Sequence, residues 1–68
     1  MNELLKKRLK EYINFNIKIF MANGFYFFGK LLMIDDMFLE IFDYKVSKSR
    51  MINISQITNF EIADEQNG

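Results

Sequence analysis

The chain has 68 residues, half of them hydrophobic, with no net charge and no cysteine, histidine or proline. The missing cysteines exclude disulfides and thiolate metal sites, and the missing histidines remove the commonest metal ligand and general base. A domain this small cannot bury all of its apolar surface in one core, and eight of its residues are phenylalanines. We therefore expect another copy of the chain or a ligand to cover part of this surface.

The charges are unevenly distributed along the chain. Residues 1–18 carry five cations and two acids, a net charge of +3, and residues 19–68 carry four cations and seven acids, a net charge of −3. The basic end can attract phosphate, although a solvated helix face gives the same pattern. No apolar run is long enough to span a bilayer, and none follows the basic N-terminal residues as in a signal peptide, so we expect a cytoplasmic protein without a membrane partner.

The first predicted element is a helix over residues 3–13. Its apolar side chains recur at helical spacing and form one face: Leu4, Leu5, Leu9, Tyr12 and Ile13. Asn2 is the predicted N-cap, and Glu3 suits the first turn. Because a helix of this length is not stable alone, we expect it to dock on a sheet.

Five strands are predicted after the helix, over residues 17–22, 25–34, 37–43, 50–54 and 58–63. Asn23-Gly24 lies between the first two strands and predicts a type I′ turn, in which both central residues have positive φ. Gly29, within the second strand, predicts a sharp bend, a bulge or a close backbone approach.

The connections between the later strands are short. Asp35-Asp36 predicts a turn, residues 44–49 a polar loop, and residues 55–57 a tight turn. This order predicts a mainly β fold, with an N-terminal helix followed by a five-stranded, strongly bent antiparallel barrel. We expect one domain over residues 1–63 and a polar C-terminal tail over residues 64–68.

Two segments of this chain resemble the signature of the Sm-like family, which includes the Sm and LSm proteins and the bacterial Hfq RNA chaperones. The first signature has an apolar strand, two glycines five residues apart, an apolar residue and an acid, here Ile17, Ile19, Met21, Gly24, Gly29, Leu31 and Asp35. The second, residues 51–57, has a short apolar strand and a tight turn. The match covers residues 4–63, and the short loop 44–49 resembles Hfq or archaeal Sm-like proteins more than eukaryotic ones.

The resemblance implies a fold, an assembly and a function. It implies an SH3-like Sm barrel that closes into a homo-oligomeric ring, a hexamer or heptamer, through pairing of strand 50–54 with strand 58–63 of the next copy. It also implies a non-catalytic, single-stranded RNA-binding protein that acts as an RNA chaperone or as a platform for RNA metabolism. No cofactor is implied.

The uridine-binding residues of the family do not carry over to this chain. Leu39 occupies the place of the asparagine that contacts the base in Sm proteins, and Asn53 that of the arginine in Arg-Gly. At the inner rim of Hfq, Asp36 and Met37 replace a glutamine and an aromatic residue. Met37 and Asn53 remain candidate base contacts, whereas Asp36 would repel phosphate.

The positions that match the purine-binding face of Hfq are largely aromatic: Phe20, Met21, Phe25, Phe27, Phe28 and Thr58. Aromatic rings suit base stacking. Phe28 replaces the glutamine that hydrogen-bonds the purine edge, so stacking is kept without that contact. The alternative is that these phenylalanines form core or inter-ring packing.

The helix supplies the remaining candidate RNA contacts. Lys6, Lys7, Arg8 and Lys10 are in the region that carries rim arginines in Hfq, and they are candidate phosphate contacts. The alternative is an ordinary solvated helix face.

Neither catalysis nor a metal site is expected. Asp35 and Asp36 are adjacent and would point apart on an extended chain, and no histidine or cysteine is present to assist them. The alternative to RNA binding is an Sm-fold oligomeric module that has lost RNA recognition and binds protein. A third hypothesis is an SH3-like barrel of unrelated function.

Overall fold

The computed structural model describes residues 3–63, so the predicted N-cap Asn2 and the predicted tail 64–68 lie outside the described residues. The elements are α1 (Glu3–Lys10), β1 (Asn16–Met21), β2 (Tyr26–Ile34), β3 (Phe38–Asp43), β4 (Lys48–Asn53), a 3₁₀ turn (Ile54–Gln56) and β5 (Ile57–Ile62). One helix followed by five strands is the predicted order.

The five strands form one antiparallel sheet in the order β4-β3-β2-β1-β5, so β4 and β5 are its two edges. The sheet bends around a single core, to which the helix, the 3₁₀ turn and every strand contribute. Its buried members are Leu5, Leu9, Ile17, Ile19, Leu31, Leu39, Ile41, Ile52, Ile54 and Ile57. Five of these ten residues are isoleucines on strands, where β-branched side chains fit a pleated, half-buried surface.

Gly29 lies where three strands meet. It pairs with Ile17 of β1 on one side and with Asp43 of β3 on the other. A Cβ atom at Gly29 would overlap the main-chain carbonyl of Phe42. Gly29 therefore lies at a close backbone approach, which is one of the three features predicted for a lone glycine within a strand. The β2–β3 register shifts shortly afterwards, between Leu31 and Met33.

The helix is shorter than predicted. It ends at Lys10 and not at residue 13, and residues 11–14 form turns that finish at Asn14, whose φ is 77°. The Asn14 N–H donates to the carbonyl of Leu31 at 2.6 Å, which ties this turn to β2. Tyr12 still packs against the core, where its ring meets those of Phe15 and Phe60. The apolar residues at helical spacing therefore extend beyond Lys10 because Tyr12 packs on the core from a turn.

The predicted type I′ turn at Asn23-Gly24 is wrong. Gly24 has a φ of 93°, but Asn23 does not adopt a positive φ. The Gly24 N–H donates to the Met21 carbonyl at 3.0 Å, and the Met21 N–H donates to the Phe25 carbonyl at 2.8 Å. The Asn23 side chain accepts the Phe25 N–H at 3.0 Å instead. The turn therefore has three residues, with glycine at its left-handed position.

The later strand boundaries also differ from prediction. The predicted strand 50–54 begins earlier, at Lys48, and the predicted strand 58–63 is Ile57–Ile62. Lys48 and Ser49 were predicted as loop because they are polar residues on an exposed edge strand, where no alternation of apolar residues indicates the strand. The predicted tight turn at residues 55–57 is the 3₁₀ turn, which Asn53 caps by accepting the Ser55 N–H at 3.0 Å.

Candidate nucleic-acid interface

Five aromatic side chains share the side of the sheet that faces away from the core. We call this set, Phe20, Tyr26, Phe28, Phe42 and Tyr44, the aromatic face. It arises because strand side chains alternate, so buried Ile17 and Ile19 leave their neighbours on the opposite side.

The rings of the aromatic face contact one another in two groups. Phe20 and Tyr26 pair across β1 and β2, with ring centroids 6.1 Å apart. Tyr44 lies 5.5 Å from Phe28 and 5.9 Å from Phe42, both edge-to-face. Tyr26 is 57% exposed and Tyr44 40% exposed, so ring surface remains open to solvent. Open, mutually supported rings suit stacking on flat apolar ligands.

Polar groups lie between and beside these rings. Lys18, which pairs with Phe28, places its Nζ 4.9 Å from the ring centroid of Tyr26, a cation–π contact. The Tyr44 hydroxyl donates to Asn16 Oδ1 at 2.6 Å, which ties the Tyr44 ring to the start of β1. The aromatic face thus combines ring surfaces with a cation and an amide.

The predicted residues near the β1–β2 turn separate into three environments. Phe25 is 70% exposed, whereas Phe27 and Met21 pack against the core on the other side of the sheet. The Thr58 hydroxyl donates to the carbonyl of Phe20 at 3.2 Å, joining β5 to β1. The structure therefore places Phe20 with the aromatic face, Phe25 at its margin, and Phe27 and Met21 beneath it.

Met37 and Asn53 line a different site, a groove of about 240 Å³ between the start of α1, the turn before β3 and the 3₁₀ turn. Met37 is 61% exposed. Asn53 Oδ1 accepts the Ser55 N–H and hydroxyl, so capping occupies its carbonyl oxygen. Glu3 and Asp36 also line the groove, against Lys6 alone, which gives it a net negative charge.

The four predicted helix cations are not equally available. Lys6 Nζ lies 3.5 Å from Asp36 Oδ1 and 3.8 Å from Glu3, and Arg8 Nε lies 3.8 Å from Glu11. Lys7 and Lys10 are exposed. Since acids offset Lys6 and Arg8, the phosphate attraction of this helix is weaker than its sequence predicts.

Asp35 holds the turn before β3. Its Oδ1 accepts the main-chain N–H groups of Phe38 and Met37, both at 2.9 Å. These two hydrogen bonds stabilise the carboxylate and lower the pKa of Asp35 below its ordinary value of 3.8, with a smaller contribution from Lys6. Asp35 therefore stabilises the turn before β3 through its side chain.

Sequence reasoning missed several members of the aromatic face. Tyr26 follows from alternation along β2, because it lies two residues before Phe28 on the same side. Phe42 and Tyr44 come from another hairpin, and only the register of β2 and β3 brings them to Phe28.

Two further observations describe residues 3–63. Neither α1 nor any other helix in this range is long and apolar enough to cross a membrane. Within the same range, no three side chains among histidine, cysteine, aspartate and glutamate gather as ligands for a metal ion.

Comparison with known proteins identifies the fold. A crystal structure of "the pleiotropic translational regulator, Hfq" superimposes with a TM-score of 0.73, covering 85% of this chain and 97% of that chain at 18% sequence identity. No protein-family model matches this chain, and no curated protein matches it. The chain therefore has the Sm-like fold of Hfq, with the predicted N-terminal helix and five-stranded antiparallel sheet.

Proposed function

We propose that this chain is a non-catalytic, single-stranded RNA-binding protein that acts in the cytoplasm as a ring of identical subunits. The observation that carries the proposal is the aromatic face, whose five rings lie on one exposed side of the sheet. Single-stranded RNA offers unstacked bases, and each base stacked on an aromatic side chain contributes about 1–3 kcal/mol.

The sequence-predicted candidates take different parts in this proposal. Phe20 stacks bases as a member of the aromatic face, and Phe25 stacks at its margin. Met21 and Phe27 support the sheet from the core side, and Thr58 holds β5 beside Phe20.

The remaining candidates act away from the aromatic face. Met37 and Asn53 form a secondary base contact in their groove. Lys7 and Lys10 attract phosphate from the helix, with smaller contributions from Lys6 and Arg8, which acids offset.

Self-association is supported by the two edges of the sheet, whose outer sides pair with no strand among residues 3–63. β4 and β5 are different strands at opposite ends of the strand order, so pairing one copy's β4 with the next copy's β5 joins unlike surfaces. Met51 on β4 is 64% exposed and Ile62 on β5 is 39% exposed, which gives both edges apolar side chains to cover. Head-to-tail pairing of this kind closes into a ring when the rotation between copies allows it.

Titration of labelled RNA tests the binding proposal. Fluorescence anisotropy with oligo-A and oligo-U at about 50 and 200 mM salt should give saturable binding that weakens as salt rises. Tyr26→Ala and Phe25→Ala should each weaken binding at least about fivefold, the loss of one stacked base. Leu4→Ala is the control, because Leu4 is 67% exposed on the helix. Binding unchanged in both aromatic variants would refute the aromatic face as the RNA site.

Mass in solution tests the assembly. Native mass spectrometry of the wild type should give a single closed oligomer of six or seven copies. Met51→Lys puts a charge on the β4 edge and should shift the population toward monomers, whereas Leu4→Lys should leave the oligomer intact. A monomeric wild type at micromolar concentration would contradict the ring.

A protein-binding module is the second candidate function, and exposed methionines favour it. Met33, Met37 and Met51 are each more than 60% exposed, and Met33 and Met51 flank Glu40 across three neighbouring strands. Flexible methionine side chains suit protein surfaces that adapt to a partner. An oligomer that binds neither oligonucleotide at low salt would favour this function over RNA binding.

A further inference from the structure

The outward side of the sheet carries a second surface at the start of β3, away from the aromatic face. Met33 of β2 pairs with Glu40 of β3, and Glu40 pairs with Met51 of β4, so these three side chains form a row across the strands. Phe38 lies two residues before Glu40 and faces the same side, because side chains alternate along a strand. We call this set, Met33, Phe38, Glu40 and Met51, the methionine face.

The methionine face exposes apolar side chains. Met33 and Met51 are both more than 60% exposed, and they help to line a shallow depression of about 50 Å³. Leu39 and Ile52, which alternate with the members of the row along β3 and β4, are buried in the core on the other side of the sheet. Exposed apolar side chains that lie together on a sheet suit contact with another molecule.

Glu40 places an unpaired charge between the two methionines. Its side chain is half-buried, and among residues 3–63 its carboxylate has no hydrogen-bond or ion-pair partner. Asp35 also lines the depression, whereas no lysine or arginine does, so the methionine face has a net negative charge. This charge repels phosphate and does not suit RNA. A carboxylate between apolar side chains is instead complementary to a cation that apolar groups flank.

The spacing of the row indicates what kind of segment would carry these groups. Neighbouring strands lie about 4.8 Å apart, so Met33 and Met51 are separated by about 10 Å across the sheet, with Glu40 midway. An α-helix rises about 1.5 Å per residue, so residues seven positions apart on one helix face are also separated by about 10 Å. A residue three or four positions after the first lies between them on that face. Residues on one face of an extended strand are spaced by about 7 or 14 Å, which fits the row less well.

We infer that the methionine face docks an amphipathic helix of a partner protein. Two apolar residues of that helix, seven positions apart, cover Met33 and Met51, and a lysine or arginine between them pairs with Glu40. The flexible methionine side chains adapt to the apolar residues of the helix, and Phe38 extends the apolar contact. β2 and β3 are paired on both sides, so docking at Met33 and Glu40 does not need a free edge of the sheet. The inference goes beyond the proposed RNA binding and gives the same chain a separate protein-binding surface.

A designed helical peptide is the probe for this surface. The arginine peptide is alanine-rich, about 20 residues long and labelled with fluorescein, with two leucines seven positions apart and arginines three and four positions after the first leucine. The glutamate peptide has glutamates in place of the arginines. Anisotropy titrations with the full chain should give saturable binding of the arginine peptide and no binding of the glutamate peptide. A peptide of the same composition with its arginines on the opposite helix face should bind at least about tenfold more weakly.

Variants of the methionine face test its two kinds of contact. Glu40→Gln and Met33→Ala should each weaken binding of the arginine peptide about fivefold. Glu40→Lys should abolish that binding and create binding of the glutamate peptide, because reversing the charge on both sides restores the pair. Glu11→Gln is the matched control for the lost carboxylate, and Leu4→Ala is the control for the lost apolar side chain. Neither control should change the affinity more than about twofold.

Thermal melting of each variant separates folding from binding, and oligo-A titration separates this surface from the aromatic face. Oligo-A affinity should be unchanged in Glu40→Gln and Met33→Ala, and an equal fall in oligo-A and peptide affinity would overturn the inference. A wild type that binds oligo-A but not the arginine peptide overturns it and leaves the proposed function standing. Peptide binding that persists in both variants, or that falls in Tyr26→Ala instead, also overturns it. If Glu40→Lys does not fold, Glu40→Gln and Met33→Ala still decide the question.

Discussion

Gly29 faces the main-chain carbonyl of Phe42 so closely that a side chain of any size would collide with it. The contact joins two strands of the sheet at the point where β2 leaves β1 and continues along β3. It also brings Phe42 and Tyr44 toward Phe28, which completes the aromatic face. The absence of a side chain at Gly29 thereby helps to position the aromatic face.

Gly29→Ala should destabilise the fold by about 3 kcal/mol or more, because the obstructing atoms are backbone and cannot rotate away. Urea unfolding followed by circular dichroism measures the change. Gly24→Ala is the matched control, since its Cβ would meet no atom within 4 Å and its cost comes from a φ of 93° alone. That cost should be about 1 kcal/mol. Equal losses in the two variants would contradict the close approach at Gly29.

Acid should weaken the turn before β3 through Asp35. Its pKa is lowered in the folded state by the N–H groups of Phe38 and Met37, so its stabilisation is complete above the ordinary pKa of 3.8 and is lost as pH falls through the lower folded value. Asp35→Asn should therefore be less stable than wild type at neutral pH. The difference should shrink when unfolding is measured between about pH 5 and pH 2.

Asp36→Asn is the control for this experiment, because the Asp36 carboxylate accepts no main-chain N–H among residues 3–63. Its stability should stay close to that of wild type across the same pH range. The difference in unfolding free energy between Asp35→Asn and wild type could instead stay constant with pH. That result would show that Asp35 stabilises the turn through the geometry of its side chain and not through its charge.

The docking of α1 should depend on Leu9. Its side chain is fully buried in the core, and Leu9→Ala should cost about 2–5 kcal/mol. Leu4→Ala, on the exposed face of the same helix, should change stability by less than about 0.5 kcal/mol. Thermal melting compares the two variants. A similar small loss in both would mean that the helix contributes little to the core.

The sequence predicted the order of elements because local patterns carried it. Alternation of apolar and polar residues located β1, and the apolar run after the Asp35-Asp36 turn located β3. The glycine within β2 predicted a bend, a bulge or a close approach, and the structure shows the close approach. The helix end was wrong, since Tyr12 keeps the helical spacing while packing on Phe15 and Phe60 from a turn. A pattern of apolar residues reports burial, and it does not report which backbone conformation achieves the burial.

The candidate site was harder to predict than the fold because its parts come from separate hairpins. Family positions led to Phe20 and Phe25, and these lie on or beside the exposed face. The same positions led to Phe27, which packs on the core instead. Tyr44 was assigned to a polar loop, because only the pairing of β2 with β3 brings its ring to Phe28.

The two edges of the sheet have a consequence for mixtures of normal and damaged copies. In the proposed ring, in which β4 of one copy pairs with β5 of the next, a copy with one blocked edge still attaches through its other edge. Such a copy can bind only one neighbour, so the row of subunits ends there and cannot close into a ring. A small fraction of copies with a blocked edge would therefore inhibit dominantly, because each one prevents ring closure by the intact copies bound to it.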